Sequence, residues 1–207
     1  MTRVILVRHG QSQANIDEVF AGITDTHLTP RGEQQAESIA RYLAAHEKID
    51  KIYASDLTRV QSTVAPTAKT FDLPVINDTA LREIHGGAWE NQPYHEIKRK
   101  YLADFNIWIH EPRDSSPTKG ESVRELYARV IGRVREIAAE NDGKTVLVGS
   151  HLTPVRALLV EALFGTVEEY TRKVEVPNAS LHILRYENGK FTPEKISITE
   201  HLGENSL

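Results

Sequence analysis

Two arginines, two histidines and one acid carry the chemistry that this chain's residue types suggest. Arg8-His9-Gly10-Gln11-Ser12 joins a cationic fork, an imidazole, a glycine that lets backbone amides approach a ligand, and a hydroxyl. Arg59 follows Ser55-Asp56, Glu83 lies in Leu81-Arg-Glu-Ile84, and His151 follows Ser150. Facing one point, the arginines and histidines would make an anion site. The planar guanidinium matches phosphate oxygens bidentately. One neutral imidazole can attack phosphorus while the second donates a hydrogen bond to the equatorial oxygens. The leaving alkoxide of a phosphomonoester needs a proton, and a carboxylic acid beside a phosphate dianion is driven towards the protonated form that supplies one. The same group, once ionised, can take a proton from the water that attacks phosphohistidine. With the arginines neutralising the developing charge, no metal is required, and no His-Glu-x-x-His or similar ligand spacing occurs. Read singly, His9 is equally a surface histidine in a turn, and Arg59 an exposed residue in a helix's first turn. A cation there opposes the helix dipole unless an anion compensates it.

The elements that must position these groups are legible as alternating strands and helices. Val4–Val7 is a short β-branched run that reads as a buried strand ending at Arg8. Thr29-Pro30 gives an N-cap and a first-turn proline, and Ala36, Ile39, Ala40 and Leu43 carry a helix to about His46. Lys51–Ala54 predicts a second strand and Leu57 onward a helix, with a kink or break at Pro66. Leu73–Ile76 reads as a third strand, and Gly86-Gly87 as a turn. Ser122-x-x-Glu125 is a capping box opening an amphipathic helix that stops at Asn141-Asp142-Gly143. Thr145–Gly149 is a continuous apolar run, as in the centre of a parallel sheet, with Thr153-Pro154 starting the next helix. Ser180–Tyr186 and Phe191–Ile198 form a hairpin around Asn188-Gly189. Asn15–Thr29 reads as loop, and the last few residues as a fraying end. In an open α/β sheet the carboxyl ends of neighbouring strands converge on one crevice, so residues far apart in sequence can meet there.

Composition bounds the rest. At 207 residues, with 40% hydrophobic and 26% charged residues, the chain suits one sizeable domain with an inserted cap. Residues 88–120 hold both tryptophans with Tyr94, Tyr101 and Phe105, and read as a helical excursion over the pocket mouth or equally as an aromatic subcore. A formal charge of -4 and a pI near 6.1 give no general attraction to nucleic acid. The absence of cysteine removes disulfides and thiolate chemistry. With no signal-peptide pattern and no apolar run near the ~20 residues of a membrane helix, a cytoplasmic location away from membranes is expected. A homodimer is left open.

Taken in order, LVRHGQS, SDLTRVQST, LREIHGGAWE, GES and GSHLTPVRALL resemble the histidine phosphatase (phosphoglycerate mutase-like) superfamily, and the likeness runs on to PNASLHILRY near the end. The resemblance implies an α/β, three-layer fold, with a mostly parallel central sheet between helices, and a phosphohistidine intermediate. It implies His9 as nucleophile, Glu83 as proton donor, and Arg8, Arg59 and His151 as phosphate ligands. It adds Ser12, Asn15, Ala21, Gly22 and Leu152 as secondary substrate contacts, with no metal and no cofactor. The LREI context selects Glu83 over Glu18, Glu90 and Glu96. Gln11 and Leu152 depart from the family's usual glutamate and glycine, and His85 has no assigned role. His85, His95 and His110 read as surface or lid residues, and Lys98-Arg-Lys100 as a solvated helix face. LREIHGGAWEN looks closest to the broad-specificity and α-ribazole-phosphate phosphatases. The expected function is a metal-independent phosphatase that hydrolyses a small-molecule phosphomonoester through phospho-His9. A cofactor-dependent phosphoglycerate mutase is the alternative, and a non-catalytic phosphoester-binding regulatory protein a second. A dehydrogenase is weaker still, since no Gly-x-Gly-x-x-Gly follows the first strand. Leaving-group contacts are expected between Trp89 and Ser116.

Overall fold

In the computed structural model of the chain, residues 1–171 and 173–206 are described, 204–206 by backbone alone. Of the last few residues expected to fray, residue 207 lies outside the described ones, whereas the backbone of Glu200–Ser206 forms a 3₁₀ segment kinked at Gly203. The elements in order are β1 (Thr2–Arg8), α1 (Gln13–Ile16), β2 (Val19–Phe20), α2 (Pro30–His46), β3 (Lys51–Ala54), α3 (Thr58–Phe71) and β4 (Val75–Asn77). There follow β5 (Gln92–Pro93), α4 (Tyr94–Lys100), α5 (Leu102–His110), α6 (Val123–Glu140), β6 (Thr145–Ser150), α7 (Leu152–Phe164), β7 (Leu181–Glu187) and β8 (Lys190–Ile198).

One six-stranded sheet has the order β4-β3-β6-β1-β7-β8. The first four strands are parallel, and β7 and β8 close the sheet antiparallel. The central strands β1 and β6 are buried on both faces, which is why they read as unbroken apolar runs. Two cores result. On one face Val4, Leu6, Val146 and Val148 pack with α6 and α7; on the other Ile5, Val7, Ile52 and Leu147 pack with α2 and α3. This is the three-layer, mostly parallel α/β architecture.

Register delivers the site. Arg8 pairs with Ser150 and Ala54 with Gly149, so β1, β3 and β6 end at one level. The backbone carries that alignment one residue further, with His9 N–H donating to the Ser150 carbonyl at 3.1 Å and Ser55 N–H to Gly149 at 3.0 Å. His9, Ser55 and His151 are therefore neighbours before any side-chain contact is considered.

Four sequence expectations are corrected. α3 runs unbroken through Pro66, because the single lost backbone bond is outweighed by the burial of Val60, Thr63, Val64 and Thr67 on the same helix. Asn15–Thr29 is more than loop: it contains the second half of α1, and β2 pairs antiparallel with β5, an element too short to show a period. β4 begins only at Val75, because Pro74 has no N–H to donate to the ladder. α7 begins at Leu152 with His151 as its N-cap, one residue earlier than Thr153.

Candidate active site

A cleft of about 240 Å³ opens where β1, β3 and β6 end. Arg8, His9, Ser12, Asn15, Ala21, Gly22, Arg59, Glu83 and Leu152 all line it. His151 does not: it is fully buried behind His9, the two ring centroids 5.3 Å apart and the planes at 63°.

His9 Nδ1 lies 2.7 Å from the Gly10 carbonyl, which can only accept. Nδ1 therefore holds the proton and Nε2 the lone pair. Burial, and then the positive charges of Arg59 and Arg8, hold the imidazole neutral well below the usual histidine range. A neutral ring with one nitrogen tied back and the other carrying a lone pair is what a nucleophile at phosphorus requires.

The loop that carries His9 is anchored on several sides. Gly10 N–H donates to Thr63 Oγ1 at 3.0 Å and Gln11 N–H to Gln35 Oε1 at 2.8 Å. Gly10 faces Gly32 of α2 so closely that an added Cβ would lie 2.7 Å from the Gly32 carbonyl oxygen. Asn178 Nδ2 reaches the carbonyls of His9 (3.1 Å) and Gly10 (3.3 Å) and also Asn15 Oδ1 (3.2 Å). Ser12 donates to the same Oδ1 through its N–H at 2.9 Å and its hydroxyl at 3.0 Å. With Oδ1 so engaged, the cleft-lining Asn15 offers its Nδ2 as a donor.

The two arginines differ. Arg8 Nη1 donates to the Val176 carbonyl at 2.6 Å, while its Nε is buried without a partner. A buried donor left unmet is costly unless a ligand meets it. Burial pulls Arg8 down to about 10, with Glu83 opposing and Arg156 assisting the shift. Arg59 is committed to protein through three bonds, to the carbonyls of Thr24 (2.9 Å) and Gly22 (2.7 Å) and to His151 Nδ1 (3.2 Å). Two of its five N–H groups remain for an anion.

His151 accepts from Arg59 at Nδ1, so its proton is on Nε2, which faces Ser55 Oγ at 2.9 Å. Burial, then Arg59 and His9, push it well below the usual range, so it too is neutral. Both its nitrogens are taken, whereas the sequence assigns it a hydrogen bond to phosphate. It can reach an anion only if Ser55 yields Nε2.

Glu83 Oε2 accepts from the Thr153 N–H at 3.2 Å, in the first turn of α7, and Oε1 from the Ile84 N–H at 2.9 Å. Its rivals are occupied elsewhere. Glu90 clamps the backbone N–H groups of Ile23 (3.0 Å), Thr24 (2.9 Å) and Gly86 (2.6 Å), holding the loop that positions Gly22. Glu96 is paired with Arg99 and Lys100 on an exposed face, and Glu18 is exposed outside the cleft. His85, His95 and His110 are exposed as well.

The rest of the wall is largely aromatic and aliphatic. Phe20, Tyr94, Trp108, Ile109, Pro112 and Tyr170 line it. Trp89 is fully buried behind, 5.7 Å from Trp108 and 5.6 Å from Phe20. Of the Trp89–Ser116 stretch, then, Tyr94, Trp108, Ile109 and Pro112 face the cleft, while Trp89 and Ile97 belong to the core. Three further residues were not singled out from the sequence: Asn178, Ser55 and Arg156. Each lies inside a quoted motif (PNAS, SDLTR, GSHLTPVR), but only the folded register brings Arg156 to the cleft, Asn178 to the His9 loop and Ser55 to His151. No group of three or more His, Asp or Glu able to hold a metal ion is found among the described residues. None of their helices is long and apolar enough to cross a membrane.

Comparison with known proteins agrees with this arrangement. Residues 4–199 match the model of the histidine phosphatase superfamily (branch 1). Phosphoserine phosphatase 1 of Hydrogenobacter thermophilus is 35% identical over 204 residues, covering 99% of this chain and 96% of that protein. The 2-carboxy-D-arabinitol-1-phosphatase of Triticum aestivum is 37% identical over 93% of this chain, which spans 37% of the wheat protein. The structure of Bacillus stearothermophilus YhfR superposes with a TM-score of 0.92 at 25% identity, over 98% of this chain and 100% of that one. With the motifs in order along one sheet edge and the superfamily's model covering nearly all of the sequence, this chain belongs to the histidine phosphatase superfamily, branch 1, and is a phosphomonoesterase.

Proposed function

We propose that this small-molecule phosphatase works by double displacement through His9, with Glu83 as the proton carrier. The observation that carries the reading is the orientation of His9: Nδ1 tied to the Gly10 carbonyl at 2.7 Å, in a ring that lines the arginine-bearing cleft. His9 Nε2 attacks phosphorus in line with the departing oxygen. The P–O bond to the leaving group breaks, and Glu83 delivers its proton to that oxygen. Water then attacks the phosphorus of phospho-His9 and gives a proton to the Glu83 carboxylate, and the P–N bond breaks with its electron pair returning to Nε2. Inorganic phosphate leaves and His9 returns neutral. Arg8, the two uncommitted N–H groups of Arg59 and Asn15 Nδ2 hold the phosphoryl oxygens, with Ser12, Ala21, Gly22 and Leu152 shaping the cleft wall. In this reading His151 chiefly holds Arg59 and turns to phosphate only on losing Ser55.

The proposal takes residues 1–207 as one domain with 88–120 as a cap. It acts on free phosphometabolites in the cytoplasm rather than on nucleic acid, and a homodimer remains compatible with it. Hydrolysis of p-nitrophenyl phosphate by His9→Ala tests the reading. We expect kcat/KM to fall by roughly 10⁴-fold or more. An unchanged rate would refute it. A mutase would instead isomerise phosphoglycerate faster than it hydrolyses it, and would need a bisphosphate activator.

A further inference from the structure

The cleft contains a third arginine that the phosphoryl chemistry does not use. Arg156 lies on the second turn of α7, is 8% exposed and lines the same cleft as His9 and Glu83. Its Nε donates to the Val174 carbonyl at 2.9 Å. Val176, two residues on, holds Arg8 in the same way. One strap of backbone therefore aims both guanidinium groups, and their like charges act on each other strongly enough for Arg156 to help depress Arg8.

No carboxylate pairs with Arg156 among the described residues. Most other arginines have one: Arg3 with Glu47, Arg82 with Asp56, Arg124 with Asp114, Arg129 with Glu121, Arg133 with Asp78 and Arg135 with Glu161. A nearly buried cation without a counterion, in a chain of net charge -4, is an energetic liability unless a ligand supplies the charge. Charge balance points to how much. Among the described residues that line the cleft, Arg8, Arg59 and Arg156 are the groups that always carry positive charge, and Glu83 is the acid. With Glu83 protonated to serve as donor, a phosphate dianion offsets two guanidinium charges and leaves one.

We propose that Arg156 receives a carboxylate carried by the leaving group, so the preferred substrates are short phosphorylated carboxylic acids. This rests on the phosphatase reading above and deepens it. The volume is compatible: about 240 Å³ is at the small end of ligand sites and suits a phosphoryl group on a chain of a few carbons. Arg is suited to the task, since its planar fork binds a carboxylate through two parallel bonds. A cationic leaving group would meet repulsion at the same place.

The test compares 3-phosphoglycerate with glycerol 3-phosphate, which differ by a carboxylate against a hydroxymethyl group, in the wild type, Arg156→Met and Arg156→Lys. We expect the wild type to favour 3-phosphoglycerate in kcat/KM by roughly 10- to 100-fold, the range of a charge-assisted hydrogen-bonded pair. Arg156→Met should collapse that ratio to within about threefold, with the loss falling on KM, because a carboxylate remote from phosphorus is bound alike in ground and transition states. Arg156→Lys should keep part of the preference. Equal wild-type rates on the two substrates would overturn the proposal, as would a preference that survives Arg156→Met. If Arg156→Met fails to fold, the wild-type ratio and Arg156→Lys still decide. Wild-type hydrolysis of p-nitrophenyl phosphate without any carboxylate preference would sink this inference alone, whereas full activity in His9→Ala would sink the phosphatase mechanism beneath it.

Discussion

At the residue scale, the cleft separates groups by what their surroundings leave free. His9 keeps a lone pair because Gly10 fixes its tautomer, and Arg8 keeps an unmet Nε, while His151 has every hydrogen-bonding position filled. The identities of these groups were legible in the sequence because Arg8, His9 and His151 break apolar runs at the ends of β1 and β6, and the motif context picks out Arg59 and Glu83. Their division of labour was not, since it depends on bonds to Ser55, Thr24 and Gly22 that no local pattern encodes. Glu83 gives the sharpest test at this scale. As proton donor it matters most when the leaving group departs as a strongly basic alkoxide. Glu83→Gln should lower turnover of an alkyl phosphate by about 10²- to 10⁴-fold, and that of p-nitrophenyl phosphate far less. Equal losses on the two, read from steady-state kcat/KM, would remove Glu83 from the proton-transfer step.

At the element scale, the site is a product of register. α2 was readable from Pro30 to about His46, and it spans Pro30–His46, because an N-cap and a first-turn proline coincide with helical spacing. The capping box of α6 also forms, with Ser122 Oγ accepting from the Glu125 N–H at 3.2 Å. β2 and β5 escaped notice because two-residue strands have no period, and Pro66 misled because helix packing outweighs one missing bond. Asn178 belongs here too. It ties the strap before β7 to the loop after β1, and its amide spans carbonyls of two catalytic-loop residues. Asn178→Ala should loosen the aim of His9 without unfolding the sheet. We expect kcat for p-nitrophenyl phosphate to drop about 10-fold or more, as misplacement of a reacting group does, with an unchanged circular dichroism spectrum. Wild-type kcat in this variant would show that the loop is held well enough by Thr63, Gln35 and Gly32.

At the scale of the whole molecule, the same burial that prepares the histidines makes the fold sensitive to acid. His9, His151 and His182 are all buried and held neutral, the last pulled down to about 4 by burial alone. Because their folded pKa values lie below the unfolded value near 6.5, the unfolded chain binds more protons as the pH falls. The stabilisation is present above the unfolded value near 6.5 and is lost progressively as the pH falls below it, for His182 down to about pH 4. For His182 alone the loss approaches about 3 kcal/mol by pH 4. His182 Nδ1 accepts from the Ser197 N–H at 3.0 Å between β7 and β8, so His182→Gln keeps a hydrogen-bonding side chain there while removing the titration. Urea unfolding at successive pH values should show a shallower acid slope in this variant, by up to one proton. An identical slope would mean that His182 titrates alike in both states.

The claim beneath all of this is that the phosphoryl group passes through residue 9. The most direct measurement mixes enzyme with ³²P-labelled substrate, quenches in base within the first turnover and maps the labelled peptide. We expect acid-labile, base-stable label on His9 at a level approaching one per active chain, absent from His9→Ala. Rapid product formation with no label at His9, or with label on another residue, would contradict it.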